Sequence, residues 1–228
     1  MKLLWQQIPS TIITEIFSST SFDGVVLDTE HSPYNLETLF SCIQVAKLSG
    51  KKCFVRLSHL DKVVTKVCMD AGCDGIIFST VETKEQSIEI VNYCRYPKYG
   101  GRRGQGLVRE NKWGELPVGN SNIKVIAQIE TKTGVDNLDD IVDCGFDMYL
   151  VGPYDLSASL GCLEEFYNSK FLEYTNKIMN CIPKEKLGIH LPKNVEEHYP
   201  KHRDYGFVAL GMDTTMLIEC CKEIGNVK

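Results

Sequence analysis

No apolar run in these 228 residues approaches the ~18 needed to cross a bilayer as a helix. Nor is there an excess of positive charge: 25 Lys and Arg stand against 30 Asp and Glu, a formal net charge of −5. A general nucleic-acid binder, whose affinity rests on a basic face, is thereby disfavoured. The N-terminal stretch MKLLWQQIPSTIITE has neither a sustained apolar region nor a small-residue cleavage site, so no export signal is read there. Glycine is missing from IPSTI, the turn after the first apolar run, where a dinucleotide-binding sheet needs a glycine-rich phosphate turn. Ten cysteines are present, yet no two form C-x-x-C, which argues against a zinc ribbon or a thioredoxin-type site. Most sit in apolar settings such as KKCFVRL and VVTKVCMDAG, where cysteine acts as a small hydrophobe. Reduced thiols in a cytoplasmic protein are the expectation.

What is present is alternation. A chain of this length buries one sizeable core, so one domain over 1–228 is expected. Short β-rich runs cover 3–8, 24–29, 52–57, 75–80, 124–130, 147–152, 187–191 and 207–211. Helical periodicity follows Asn35 as far as Leu48, Asp61 as far as Met69, Thr83 as far as Cys94 and Thr133 as far as Val142. Pro192 and Asn194 introduce a short helix, and Asp213 or Thr214 the last one. Eight nearly continuous apolar strands alternating with helices predict parallel βα units, and eight such units predict a closed (β/α)8 barrel. No internal repeat beyond the βα unit is evident. The long irregular segment 96–122 carries Arg102, Arg103 and Arg109 among several glycines; it reads either as an anion-wrapping loop or as a flexible solvated one.

In such a barrel the chemistry sits where strands end, on the face built by the βα loops. The second run, Gly24-Val25-Val26-Leu27, ends in Asp28, Glu30 and His31. The third ends in Arg56, the fourth in Ser79 and Thr80, the fifth in Gln128 and Glu130. The sixth passes through Gly152, Pro153 and Tyr154 to Asp155, and the seventh ends at His190. Ionised groups in an apolar mouth must be paired or metal-bound. Glu130 and Asp155 make a sensible oxygen pair for a hard cation such as Mg²⁺ or Mn²⁺. Blander roles stand beside these: Asp155 as a helix N-cap, Glu130 in a salt bridge with Lys132 or Lys124, Arg56 paired with Glu30 or Asp28. His198 and His202 have ligand spacing, but Pro200 lies between them in a solvated context, and His59 reads as a loop residue.

The segments FDGVVLDTEHSPYN, CFVRLS, RYPKYGGRRGQG, VIAQIETKTGVDNLDDI, GFDMYLVGPYDLSASLG and FVALGMDTT, in that order, resemble the HpcH/HpaI family of metal-dependent pyruvate aldolases. The combination of E-H-x-x-x-N, Q-I-E-T and G-P-x-D-L-S carries the resemblance. It implies a barrel of the phosphoenolpyruvate/pyruvate-type superfamily that reversibly cleaves a 4-hydroxy-2-oxo acid to pyruvate and an aldehyde. It implies a divalent cation, Mg²⁺ or Mn²⁺ before Co²⁺ or Zn²⁺, held by Glu130 and Asp155. His31 then matches the catalytic histidine, Asp70 an aspartate orienting it, and Arg56 the arginine at the keto oxygen of pyruvate. Gln128 and His190 line the pocket, and Gly152, Pro153, Tyr154 and Asp155 form the turn that binds the substrate carboxylate. A homo-oligomer, a hexamer built as a trimer of dimers exchanging a C-terminal helix, is also implied.

The sequence departs from that pattern at Ser79-Thr80, where relatives often carry a proline-containing turn, and at His190, where they often place an apolar residue. Both surround the aldehyde side of the expected pocket. Two other readings remain open: a related lyase acting on another acyl or 2-oxo acid, and a barrel retained as a non-catalytic subunit. A Schiff-base mechanism is disfavoured, because Lys52 and Lys124 stand at strand starts.

Overall fold

The computed structural model describes residues 1–117 and 122–226. Eight parallel strands close in chain order: β1 (Lys2–Gln6), β2 (Gly24–Asp28), β3 (Lys52–Leu57), β4 (Gly75–Phe78), β5 (Lys124–Ile129), β6 (Met148–Val151), β7 (Leu187–Leu191) and β8 (Phe207–Met212). Pairing of β8 with β1, Val208 opposite Lys2 through Leu210 opposite Leu4, completes the ring. Helices return the chain outside it: α1 (Thr11–Ser18), α2 (Leu36–Leu48), α3 (Lys62–Asp70), α4 (Lys84–Cys94), α5 (Lys132–Asp136), α6 (Leu138–Val142), α7 (Pro153–Ser159), α8 (Ser169–Cys181), α9 (Val195–His202) and α10 (Asp213–Gly225).

Asn35, Asp61 and Thr83 cap α2, α3 and α4 through side-chain oxygens that accept first-turn amides, as their sequence positions predict. The helix expected over 133–142 is instead two. Thr131 caps α5 by accepting from Gly134, and the chain breaks at Asn137 before α6. Helix α1, whose Thr14 and Phe17 are buried, and the longer α8 were not separated from their surroundings in the sequence.

Side chains along each strand alternate between two cores. Those facing outward, such as Val25, Val55, Ile76 and Tyr149, meet the helices. Those facing inward form a second cluster: Leu3 and Trp5, Val26, Phe54, Ile77, Ile126, Leu150, Phe207 and Ala209. The phenyl rings of Phe54 and Phe207 stack, with centroids 6.2 Å apart. Gly188 makes room for them, since a Cβ there would lie 2.2 Å from the Phe207 ring. Two residues further along several strands, the inward positions turn polar: Asp28, Arg56, Ser79, Gln128 and His190.

A carboxylate staple recurs at the opposite end. Aspartates precede β2, β4 and β6, and each accepts an amide at the start of the preceding strand. Asp23 accepts from Lys2 at 2.6 Å, Asp74 from Cys53 at 2.9 Å and Asp147 from Val125 at 2.7 Å. Lys47 and Lys52 join Asp74, and Arg95 joins Asp147. The staple recurs every two βα units, a repeat not read from the sequence, where its only trace is FDG, CDG and FDM.

The arginine-glycine segment joins α4 to β5 and therefore lies on this same strand-start face. It wraps the protein's own carboxylates. Buried Arg103 donates to Glu110 at 2.6 Å and to Asp70 at 3.4 Å, with its guanidinium over the Tyr96 ring at 4.5 Å. Arg109 donates to the carbonyl of Ala71 at 2.8 Å. Residues 118–121 of the segment lie outside the described residues. No helix among the described residues is long and apolar enough to cross a membrane.

Candidate active site

At the strand-end mouth the hub is Asp28, which is fully buried. The Arg56 guanidinium forks onto it, Nε to Oδ1 at 2.9 Å and Nη2 to Oδ2 at 2.6 Å. Trp5 Nε1 and Gln7 Nε2 donate to Oδ2 at 3.2 and 3.3 Å. The amides of Glu30 and His31 donate to Oδ1 at 3.1 and 3.4 Å. Burial alone would push the Asp28 pKa up. The bonds and charge of Arg56, with help from Trp5 and Gln7, outweigh it and hold the carboxyl below its ordinary value. The β2 end is charged because a bidentate pair needs both partners there.

Arg56 also pairs through Nη1 with Glu30 Oε2 at 2.8 Å, and Ser79 donates to that same oxygen at 2.9 Å. Three of its five N–H groups are thus directed at carboxylates, and two remain for a ligand. The guanidinium lies 4.8 Å from the Trp5 ring. On Trp5 stacks His190, with centroids 4.1 Å apart and planes within 10°. His190 Nε2 bonds the carbonyl of Gly211 at 3.1 Å, so that nitrogen carries the proton. Burial pushes the His190 pKa down to about 4, the Gly211 bond opposing and the Arg56 charge reinforcing the shift.

Glu130 is the other buried acid, 4% exposed. Its Oε1 accepts from the amide and the hydroxyl of Thr80, each at 2.8 Å, and its Oε2 accepts from Gln128 Nε2. Burial raises its pKa against the lowering by the Thr80 and Gln128 bonds, and the Asp155 and Glu30 charges raise it further. Neither lysine considered from the sequence neutralises it: Lys132 pairs with Asp136 and Lys124 with Asp147. Gly152 lets this acid fit, because a Cβ there would lie 2.7 Å from Glu130 Oε2 and 3.3 Å from Gln128 Nε2. Gln128 Oε1 is buried without a partner among the described residues. Asp155 is exposed in the first turn of α7, where Gly152 rather than Asp155 holds the N-cap position. The Tyr154 ring packs edge-on to Phe166 at 5.2 Å.

A buried carboxylate under the charge of two others and without a salt-bridge partner among the described residues, beside an unpartnered amide oxygen, suits a divalent ion. No group of three or more His, Cys, Asp or Glu able to hold a metal occurs among the described residues. Two carboxylates are nonetheless the usual protein share for an octahedral ion that keeps water or substrate oxygens.

The structure therefore brings His31, Arg56, Gln128, Glu130, Gly152, Pro153, Tyr154, Asp155 and His190 to one end of the barrel. Asp70 is not among them. It ends α3 on the strand-start face, a strand length of roughly 13–20 Å from the mouth, and pairs with Arg103. Within one chain, Asp70 and His31 therefore stand at opposite ends of the barrel. Asp28 does hold the His31 backbone, and Glu30 Oε2 lies 3.8 Å from His31 Nε2, whose side chain is 61% exposed. Trp5 and Gln7 were missed in the sequence. The signal was available, for Trp5 near the end of β1 and Gln7 just past it continue the same alternation.

A closed (β/α)8 ring with buried carboxylates and an arginine at the strand-end mouth has the layout of a barrel enzyme. The model of the HpcH/HpaI aldolase/citrate lyase family matches residues 2–220, and the chain belongs to that family. The 5-keto-4-deoxy-D-glucarate aldolase of Escherichia fergusonii is 34% identical over 221 residues, 92% of this chain and 84% of that one. Among solved structures, an HpcH/HpaI aldolase/citrate lyase family protein from Burkholderia cenocepacia superposes with a TM-score of 0.87 at 24% identity, covering 98% of this chain and 92% of that one. The citrate synthase SbnG superposes at 0.83 with 25% identity, covering 97% and 90%. The protein is an enzyme of the aldolase class.

Proposed function

We propose that the protein is a metal-dependent aldolase that reversibly cleaves a 4-hydroxy-2-oxo acid to pyruvate and an aldehyde. The observation that carries this reading is the buried carboxylate of Glu130, held by Thr80 and Gln128 with no salt-bridge partner among the described residues, at the same mouth as Asp155. These two would hold the cation, and their hard oxygen donors favour Mg²⁺ or Mn²⁺ over Co²⁺ or Zn²⁺. When bound, that ion supplies Lewis acidity for the charge that develops on the keto oxygen of pyruvate.

The chain's own groups do the rest. Arg56, fixed by Asp28 and Glu30 and backed by Trp5, presents its remaining N–H groups to the same oxygen without reorganising. His31, exposed at the mouth and anchored through its amide, takes the C4 hydroxyl proton as the C3–C4 bond breaks and returns it in condensation. Gln128 and the backbone from Gly152 to Asp155 seat the substrate carboxylate, and His190 borders the pocket. The test is pyruvate release from 4-hydroxy-2-oxo acids by chelator-stripped protein. Activity is expected to vanish and to return with Mn²⁺ or Mg²⁺, while full activity after exhaustive stripping would refute the reading.

The working form is proposed to be a homo-oligomer, a hexamer as a trimer of dimers. Supporting this, α10 is exposed from Met216 onward, with Ile218 and Ile224 55% and 68% exposed. All ten cysteines are free, which suits a cytoplasmic location.

A further inference from the structure

Thr80 has φ +52°, a left-handed conformation that β-branched residues seldom adopt. Glycine would sit there without penalty. Strain of this kind persists where the surroundings over-determine it, and here they do. Register sets Phe78 of β4 opposite Ala127 of β5, which brings the β4 end level with the residues leading to Glu130. Gln86 Nε2 donates to the Thr80 carbonyl at 3.1 Å, and the next amide, Val81, donates to the Gln128 carbonyl at 3.2 Å. The turned backbone aims both the Thr80 amide and the Thr80 hydroxyl at one atom, Glu130 Oε1.

A carboxylate offers about four acceptor positions, two on each oxygen. Thr80 fills both on Oε1, and Gln128 fills one on Oε2. One position remains, on Oε2, beside Gly152, where no side chain stands. Ser79 acts in parallel on the neighbouring acid, giving its hydroxyl to Glu30 Oε2, the oxygen that also receives Arg56. Two adjacent hydroxyl residues thus tie Glu30 to the arginine side of the mouth and Glu130 to the side facing Asp155.

We propose that Thr80 is a positioning residue that occupies Glu130 Oε1 with its amide and hydroxyl and so commits Glu130 to one-oxygen ligation through Oε2. This rests on the cation reading of the site given above. The hydroxyl gives threonine a contact with Glu130 that glycine, though easier on the backbone, would lack.

The test is calorimetric Mn²⁺ binding to the unaltered protein and to Thr80→Val, Thr80→Gly and Thr80→Ser, with thermal melts to establish folding. Thr80→Val keeps the shape and loses the hydroxyl. Thr80→Gly loses the hydroxyl and relieves the strain, so it supplies the answer should the valine variant not fold. Loss of the hydroxyl is expected to weaken Mn²⁺ binding about tenfold or more, while Thr80→Ser stays within about twofold of the unaltered protein. Thr80→Gly should show that loss with undiminished thermal stability, which a merely structural role would not produce. Equal affinity in the unaltered, Val and Gly proteins overturns the role of Thr80 alone. No Mn²⁺ binding by the unaltered protein overturns the cation reading and this proposal together.

Discussion

Asp28→Asn is the most informative single change, because it keeps the shape of the hub and removes its charge. Six donors converge on the Asp28 carboxylate. An amide would turn one acceptor oxygen into a donor against them, and would leave a buried guanidinium with Glu30 alone. Breaking a buried pair by removing one partner costs about 3–5 kcal/mol. Glu30 retains Nη1 of Arg56, which places the expected loss at the lower end, about 3 kcal/mol. For a chain of this size that corresponds to a melting shift of roughly 6–12 °C. Urea unfolding should show a lower midpoint at an unchanged slope. The pH dependence carries a sign. The folded pKa lies below the ordinary 3.8, so the contribution of Asp28 is complete above that value and is lost as pH falls through the depressed one. The gap between the unaltered protein and Asp28→Asn should hold constant at neutral pH and narrow toward the acid limb. A gap under about 1 kcal/mol at neutral pH, the size of an exposed pair, would refute the hub.

His190 acts with the opposite charge and in a different window. The unfolded imidazole takes a proton below about 6.5 and the folded one only below about 4, so stability should fall by up to about 3 kcal/mol as pH drops across that interval. His190→Phe, which keeps a ring on Trp5, should flatten that slope, and an unchanged slope would assign it to other groups. Asp70→Asn should cost about 1 kcal/mol by loosening Arg103 and should leave the pH profile of kcat/KM untouched. A displaced profile would return Asp70 to the proton path.

The barrel was legible because buried parallel strands are written as plain apolar runs, and eight of them leave few ways to close. The mouth was legible by the same rule, since polar groups that end apolar strands can only gather where the strands end. The place of Asp70 was not legible, because sequence similarity assigns a residue to a role without assigning it to a face. It ends a helix that runs back toward the strand starts, and helix direction was the missing term. The arginines at 102–109 misled for a related reason: a loop after a helix opens on the other side of the barrel from a loop after a strand. The Thr80 backbone angle could not have been read at all, because nothing in its neighbours' chemistry demands a left-handed turn before the Glu130 contact is known.

The aspartate staples carry a consequence for how the ring is put together. Each joins residues only 21 or 22 apart in sequence. Loop-closure entropy over such spans is modest, so the wedges β1–β2, β3–β4 and β5–β6 can be decided locally. The β7–β8 wedge has Gly206 where the other three have an aspartate. The ring itself is fastened between Met1 and Gly206, 205 residues apart. Three wedges thus have their register specified by short-range staples, whereas the β7–β8 wedge and the closure of the ring rest on contacts without one.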